Sequence, residues 1–551
     1  MKKLIILLPI IGMLFLSCEL ERNPYDQIAV DELFETKGAL ETATLGNYAL
    51  LKGKNGLDGW NDQLHRLTEY PGDNISLSGS TSDPLNFIYN YRAITTNGRV
   101  ADFWNDSYKV IVGCNVVIEK AAEGESDELD QLIGENYYLR ALVYFQMGNI
   151  FGRPYNQGGS NLSAPLKLTS DVNDIPDRHT VEEVYQQVIQ DLEKAESLMN
   201  QNKTATYATK EAAQALLSRV YLYMEDNVNA VSYADKVIQS DRYSLLGNEA
   251  FKRMNFLNPQ ESSEAIFSIT LNKEADLPGQ WDDWYTVGSL YASIEGSGWG
   301  EMYASRSYLE LINQNKEDAR NSFIEAQYIE EDASLRKPWV LWVNDNYEYE
   351  TRLTSESGGV VTFTEGSTTF TIEEEIVNGN TKYFFTSGSN KQYVDTGFEM
   401  PKRNGFPKWF IMKASLQEGS VHLWSPAVSR YSEMFLNKAE AFAKRGMDQE
   451  ALDEVNTIRT RAGIPAYSLN ALPTGKTILD IVLEERRLEF AFEGHRKFDV
   501  FRNGRTMDRR YPGGHLWGAN PIYEIPATHN RIVEFLPEKQ IILQPGLIQN
   551  D

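Results

Sequence analysis

The chain has 551 residues and a formal net charge of -25. That is longer than one typical domain and too acidic for nucleic acid or an anionic membrane surface, both of which need clustered Lys and Arg. The balance favours neutral or cationic ligands, and two cysteines do not make a disulfide framework.

The first predicted element is a targeting segment. Lys2 and Lys3 precede an almost wholly apolar run at 4–16, LIILLPIIGMLFL, shorter than the ~20 residues a spanning helix needs and suited to the core of a secretory signal. It ends in Leu16-Ser17-Cys18, which resembles a bacterial lipoprotein signal. In that family the cysteine thiol is diacylglycerylated, the preceding peptide is cut and the new N-terminus is acylated. Several acyl chains anchor firmly where one binds marginally. Glu19 and Glu21 resemble the acidic surface-export signal of Bacteroidetes lipoproteins. Residues 1–17 are therefore expected to be a signal peptide, Cys18 the lipidated residue, and 18–33 a tether. The other cysteine, Cys114, lies in the apolar stretch VIVGCNVVIE and is expected to be buried and inert.

The spacing then predicts a first helix over 34–52 and a loop-rich stretch over 53–95, where GDNISLSGSTSDP has no helical period. Helical spacing returns over 100–122 and 128–150, with Tyr137, Ala141 and Tyr144 at i, i+4 and i+7. A break at FGRPYNQGGS precedes a helix over 180–199, opened by a Thr180/Glu183 capping box, and alanine-rich helices follow over 208–225 and 228–239. Pairs of this length resemble tetratricopeptide units. From 246 to 425 the texture is Trp-, Gly- and Ser-rich, and residues 360–388 alternate apolar and polar residues around Asn378-Gly379-Asn380, which predicts a hairpin or meander. Helices resume over 428–444, 447–462 and 477–493. The fold expected is mostly α: a tetratricopeptide-like helical-repeat scaffold carrying an irregular, partly β ligand-binding insertion. Its parts are 34–245, the insertion 246–425, and a C-terminal helical part and tail 426–551.

Several segments in order resemble the SusD/RagB family of Bacteroidetes outer-membrane lipoproteins: ENYYLRALVYFQMGNIFGRPY (135–155), VEEVYQQVIQDLEKAESLM (181–199), TKEAAQALLSRVYLYMED (209–226), SRYSEMFLNKAEAFAKRG (429–446), ALDEVNTIRTRAGIP (451–465), ILDIVLEERRLEFAFEGHRKFDVFR (478–502) and PIYEIPATHNRI (521–532). The departures lie in the tail and near 355–395. The resemblance implies a cell-surface, non-enzymatic nutrient binder that caps a SusC-like TonB-dependent transporter and delivers oligosaccharides, or sometimes peptides, into it. A binder of peptide or another nutrient is the alternative, and a surface glycoside hydrolase a further one.

The aromatic residues are the leading binding candidates. A flat Trp or Tyr covers the apolar C–H face of a pyranose, while Asp, Asn, Gln or Arg take its hydroxyls. GQWDDWYTVGSLYASIEGSGWGEMY (279–303) supplies Trp281, Trp284, Trp299 and Tyr303, with Asp282 and Asp283 between the first two tryptophans. The N-terminal loop supplies Trp60, Asp73, Asn74 and Tyr89. The resemblance implies ligand contacts from these two regions without fixing positions, and any one of these residues has a core or interface aromatic as its alternative reading. The charged run Glu484 to Asp499 looks catalytic, but Glu485, Glu489 and Glu493 share helical faces and Arg486, Arg487 and Arg496 can pair with carboxylates, which predicts buried structural pairing. A glycosidase needs two carboxylates at a set separation, and with 78 acidic residues some pair is always present. Gly475-Lys476-Thr477 lacks the preceding strand of a phosphate loop, and Thr477 is instead placed to cap a helix. The six histidines show no zinc spacing. No catalytic residue, cofactor or metal is expected.

Overall fold

The computed structural model describes residues 38–53, 58–279, 281–377 and 380–551. Cys18, the signal peptide at 1–17, the tether at 18–33, the start of the first predicted helix at 34–37 and the Asn378-Gly379 turn lie outside the described residues. No helix among the described residues is long and apolar enough to cross a membrane.

Helix α1 (Ala39–Lys52) is followed by α2 (Trp60–Thr68) and the short strand β1 (Ile75–Leu77). Five longer helices then pack on their chain neighbours: α3 (Gly98–Lys120), α4 (Asp127–Phe151), α5 (Val181–Leu198), α6 (Lys210–Tyr223) and α7 (Asn227–Ile238). Each starts where the sequence supplies an N-cap oxygen: Asn97, Ser126, Thr180, Thr209 and Asp226 accept from the backbone N–H groups of the first turn. The Thr180/Glu183 capping box forms as read from sequence. Small residues let the helices approach closely: Ala212, Ala213, Ala215, Ala230 and Ala234 are fully buried. Cys114 is buried in this core, and burial pushes its thiol far above the ordinary range.

After a short helix, α8 (Val287–Tyr291), and strand β2 (Met302–Ala304), the chain builds a β unit. Its strands are β3 (Pro338–Val343), β4 (Tyr349–Leu353), β5 (Ser355–Ser357), β6 (Val360–Glu365), β7 (Thr368–Thr371), β8 (Glu373–Val377), β9 (Asn380–Ser387) and β10 (Asn390–Phe398). They form an antiparallel five-stranded sheet of order β8-β9-β10-β3-β4 and a three-stranded sheet of order β7-β6-β5. The insertion is thus more regular than its composition suggests. Strand β3 explains how it is held. Val340 and Trp342 face Phe363, Phe385 and Val394 inside the unit, while Trp339 and Leu341 on the opposite face pack with Met400 and Trp409 of the body. Period-two alternation with both faces covered makes β3 the join between unit and scaffold.

The hairpin of β11 (Lys402–Arg403) and β12 (Phe406–Pro407) precedes the C-terminal helices α9 (Tyr431–Lys444), α10 (Asp448–Arg461), α11 (Ile478–Glu489) and α12 (Arg496–Arg502). The two helical stretches form one body: α9 packs on α7, and Arg219 pairs with Glu433 at 2.5 Å across the join. Two expectations are corrected. Residues 60–68 are helix, not loop: Trp60, Leu64 and Leu67 stand at i, i+4 and i+7, but the stripe spans only nine residues, six of them polar, inside a Gly- and Ser-rich stretch. The helix predicted over 477–493 stops at Glu489, because Phe492 (φ +67°) and Gly494 (φ +80°) turn the chain through left-handed backbone before α12.

Candidate functional site: an aromatic platform between two chain regions

The site grows from one short pairing. Strand β1 pairs antiparallel with β2, with Ile75 opposite Ala304 and Leu77 opposite Met302. The ladder continues as Ser78 N–H donates to the Glu301 carbonyl at 2.9 Å. This brings the N-terminal loop and the 279–303 segment, over 200 residues apart in sequence, onto one edge.

Ser289 organises the aromatic segment. Its hydroxyl donates to the Trp284 carbonyl at 2.6 Å, and its carbonyl accepts from Trp299 N–H at 2.7 Å and Gly300 N–H at 2.9 Å. The Trp299 indole N–H donates to the same Trp284 carbonyl at 3.1 Å, and the two indoles meet edge to face at 5.4 Å between centroids. The connecting turn closes through reciprocal Ile294–Ser297 backbone bonds of 2.8 Å. Beneath it His422 Nε2 lies 3.0 Å from the Ser297 carbonyl and must donate to it, so His422 Nδ1 accepts from Ser415 Oγ at 3.0 Å. Burial keeps this imidazole below its ordinary pKa and favours the neutral form. Gly298 (φ +96°) passes over His422 where a Cβ would collide with the Ala292 carbonyl oxygen and His422 Nε2.

The result is a platform of exposed aromatic faces with the Trp284–Trp299 pair fixed at its centre. Trp281 is 62 % exposed, Tyr285 55 % and Trp299 51 %, with Trp284 half-buried among them. Asp283 Oδ2 accepts from Ser297 Oγ at 2.9 Å, and Asp282 accepts from the Gly279 N–H at 2.7 Å. On the other side Arg403 donates to the Trp299 carbonyl at 2.9 Å and pairs with Glu301 at 3.1 Å. Arg403 carries no sequence signal for this position; only the β11–β12 hairpin brings it there.

The other proposed contact residues lie inside the protein, which corrects them as surface contacts. Trp60 is fully buried, stacks on Phe103 and donates its indole N–H to Ser107 Oγ at 2.9 Å. Tyr303 is buried and donates to the Gly300 carbonyl at 2.7 Å. Tyr89 is buried; because His515 Nε2 must donate to the Arg509 carbonyl at 2.7 Å, the Tyr89 hydroxyl donates to His515 Nδ1 at 2.9 Å. Asp73 is buried and pairs with Arg496 at 2.6 Å. Burial alone would raise its carboxyl, but Arg487 and Arg496 together hold it well below the usual range. Asn74 is buried and accepts from Arg487 Nε at 2.9 Å. Asp73 supports the β1–β2 edge from behind: the Ser305 hydroxyl, just after β2, donates to the Asp73 carbonyl at 2.6 Å.

The charged run of the C-terminal helices is buried pairing, as its helical spacing indicated. Glu485 pairs with Arg320 at 2.7 Å and Arg459 at 3.0 Å, Glu489 with Arg430 and Arg461, Glu493 with Arg430 at 2.8 Å, and Arg486 with Asp499 at 2.9 Å. Thr477 caps α11 in a capping box with Asp480. Among the described residues no group of three or more His, Cys, Asp or Glu is arranged to hold a metal ion.

Fold and platform together define a class: a helical-repeat scaffold that holds an exposed aromatic cluster between its N-terminal loop and a β unit. Comparison with known proteins names the family. A family model described as "Starch-binding associating with outer membrane" matches residues 28–222, and one described as "SusD family" matches residues 263–550, more than half of the chain. This chain belongs to the SusD family. It is 25% identical to SusD-like protein P2 of Formosa agariphila over 568 residues, covering 100% of this chain and 98% of that one. It is 22% identical to starch-binding protein SusD of Bacteroides thetaiotaomicron over 441 residues, covering 75% of this chain and 71% of that one. A crystal structure of a SusD superfamily protein from Bacteroides thetaiotaomicron superposes with a TM-score of 0.72 at 23% identity, covering 95% of this chain and 100% of the other. A putative sugar binding protein from Bacteroides vulgatus superposes with a TM-score of 0.68 at 22% identity, over 93% and 98%. At these identities the two structures establish the fold.

Proposed function

We propose that this protein is a cell-surface glycan-binding lipoprotein, anchored in the outer membrane through Cys18, that captures oligosaccharides and passes them to a SusC-like TonB-dependent transporter. The observation that carries the reading is the exposure of Trp281, Tyr285 and Trp299 around Trp284, with Trp299 held edge to face on Trp284. A flat ring held in place covers the apolar face of a sugar at small entropic loss. Asp282 and Asp283 lie within the platform segment, and the one guanidinium placed at it, Arg403, is paired with Glu301 at 3.1 Å, which favours an uncharged glycan over a uronate or sulfated one. Membership of a family described as associating with the outer membrane supports the location. The reading is of binding rather than hydrolysis: the carboxylates of the C-terminal charged run are committed to buried arginines.

The test is affinity electrophoresis of residues 19–551 through gels containing starch, laminarin, xylan or polygalacturonate, with Trp281→Ala, Trp284→Ala and Trp299→Ala alongside. Retardation by a neutral polysaccharide that is lost in Trp299→Ala, without release of reducing ends, is expected. Retardation unchanged in all three variants refutes the platform. Retention of peptide rather than any glycan moves the ligand class to peptide, and release of reducing ends refutes the non-enzymatic reading.

A further inference from the structure

A second aromatic groove lies on the β-unit side of the platform. The β3–β4 turn carries Tyr347, and the C-terminal tail carries Tyr523; their rings lie 5.9 Å apart at 52°. Beside this ring pair opens a groove of about 620 Å³, lined also by Arg510, Pro521, Glu524 and His529. That volume falls within the roughly 300–1,000 Å³ of small-molecule sites. Tyr523 is 45 % exposed, and Tyr347 is half-buried.

The groove is built rather than incidental. Tyr347 sits at left-handed backbone (φ +59°), a conformation uncommon for a bulky side chain. Its turn is locked by the Asn344 side chain, whose carbonyl accepts from Asn346 N–H at 2.9 Å and Glu348 N–H at 3.0 Å. The tail is held by the backbone bond from Ile522 N–H to the His515 carbonyl at 3.1 Å and by Arg92, which donates to the Asn520 carbonyl. The charge is balanced toward the acidic side: Arg510 pairs with Glu524 at 2.8 Å and faces Asp508 at 3.8 Å. A guanidinium and a carboxylate side by side can donate to and accept from adjacent hydroxyls, but together they hold no surplus positive charge for an anion. The groove is joined to the platform by few contacts. Arg403, which holds the Trp299 carbonyl, pairs across its hairpin with Phe406, and the Phe406 ring meets Trp517, itself 41 % exposed, at 5.8 Å.

We propose that the Tyr347–Tyr523 groove is a second saccharide subsite that takes neutral pyranose units of a glycan chain whose other units lie on the tryptophan platform. The inference rests on the glycan-binding reading above, and it adds that the protein selects long chains over short ones. The tyrosine faces turned away from their mutual contact cover the sugar ring, and Arg510 and Glu524 take its hydroxyls.

The experiment is calorimetric titration of residues 19–551 with short and long oligomers of starch, laminarin and xylan, using Tyr347→Ala, Tyr523→Ala, Tyr523→Phe and Trp299→Ala. For the long oligomer of the glycan bound, each Tyr→Ala variant is expected to lose affinity roughly two- to tenfold, the scale of one aromatic contact. The shortest bound oligomer is expected to be unaffected by the tyrosine variants and weakened by Trp299→Ala. Tyr523→Phe keeps the ring and is expected to bind the long oligomer nearly as the parent does. Unchanged long-chain affinity in both Tyr→Ala variants, with Trp299→Ala still defective, overturns the second subsite and leaves the platform standing. Loss of short-oligomer affinity in the tyrosine variants overturns the division into two subsites. Absence of binding to every oligomer by the unmodified chain overturns the glycan reading and the subsite with it.

Discussion

Substituting Glu489 by glutamine should unbalance a closed set of buried charges. Arg320, Arg430, Arg459, Arg461 and Lys413 face Asp318, Glu264, Glu485, Glu489 and Glu493, equal in number and linked by ion pairs, with side chains at most 6 % exposed. Glu489 is central: it pairs with Arg430 and Arg461 and lies 3.6 Å from Arg320. Burial by itself would raise its carboxyl, but Arg461, Arg430 and Arg320 together hold it below the usual carboxylate range. Glutamine keeps the shape and removes the charge, leaving one uncompensated buried cation. Breaking a buried pair in this way costs about 3–5 kcal/mol. The assay is urea denaturation of residues 19–551 at pH 7 for the parent, Glu489→Gln, Arg461→Met and the double variant. Each single variant should lose several kcal/mol, and the double variant should lose less than the two together by at least about 1 kcal/mol, since removing both partners restores the balance. Glu489→Gln within about 1 kcal/mol of the parent, or strict additivity, would refute the reasoning.

Acid should weaken this network and a second one around Glu440. Against the upward push of burial, Arg502 and Lys444 hold Glu440, like Glu489, below the usual range. The stability these carboxylates contribute is therefore present above about pH 4.5 and lost as pH falls through their folded values, so urea midpoints should drop steeply in acid and less steeply in Glu489→Gln. Glu69 has the opposite sign. Burial pushes its carboxyl up to about 7 despite hydrogen bonds from Gly494 N–H, Asn74 and Phe492 N–H, so it binds a proton in the folded state that it lacks when unfolded. Stability should fall by up to about 3 kcal/mol as pH rises from about 4.5 through 7, and Glu69→Gln should lose that slope; an unchanged slope would contradict the assignment. Gly298→Ala forces a Cβ onto the Ala292 carbonyl oxygen and His422 at φ +96°, a strain of about 1–3 kcal/mol. It should shift Trp299 and abolish glycan retention, with circular dichroism of the helical scaffold unchanged.

Much of the scaffold was legible in the sequence. Helices α3, α5, α7 and α9 to α11 carry one-sided apolar spacing, α4 and α6 are runs of good helix formers buried almost all round, and several carry cap residues at their starts, so local rules and tertiary packing agree. Helix α2 escaped because it is only nine residues long and six of them are polar, buried through distant partners such as the Tyr291 hydroxyl, which lies 2.7 Å from His65. The β unit was half legible. The alternation of 360–388 shows its hairpins, but β3 reads as an unbroken apolar run because both its faces are covered, and its partner β10 lies some fifty residues away. At the site, the Gly- and Ser-rich setting of Trp281, Trp284 and Trp299 signalled exposed rings, which Trp281 and Trp299 are while Trp284 is half-buried. The same inference failed for Asp73 and Asn74, whose partners Arg496 and Arg487 lie more than 400 residues along the chain and leave no local trace.

The central claim is that glycan lies on the tryptophan platform. Tryptophan fluorescence of residues 19–551, titrated with whichever neutral polysaccharide retards the protein in gels, tests it most directly. The account requires a saturable blue shift, as rings 62 % and 51 % exposed leave water, and its loss in a Trp281→Ala, Trp299→Ala variant that no longer binds. An unchanged shift and unchanged affinity in that variant would contradict it.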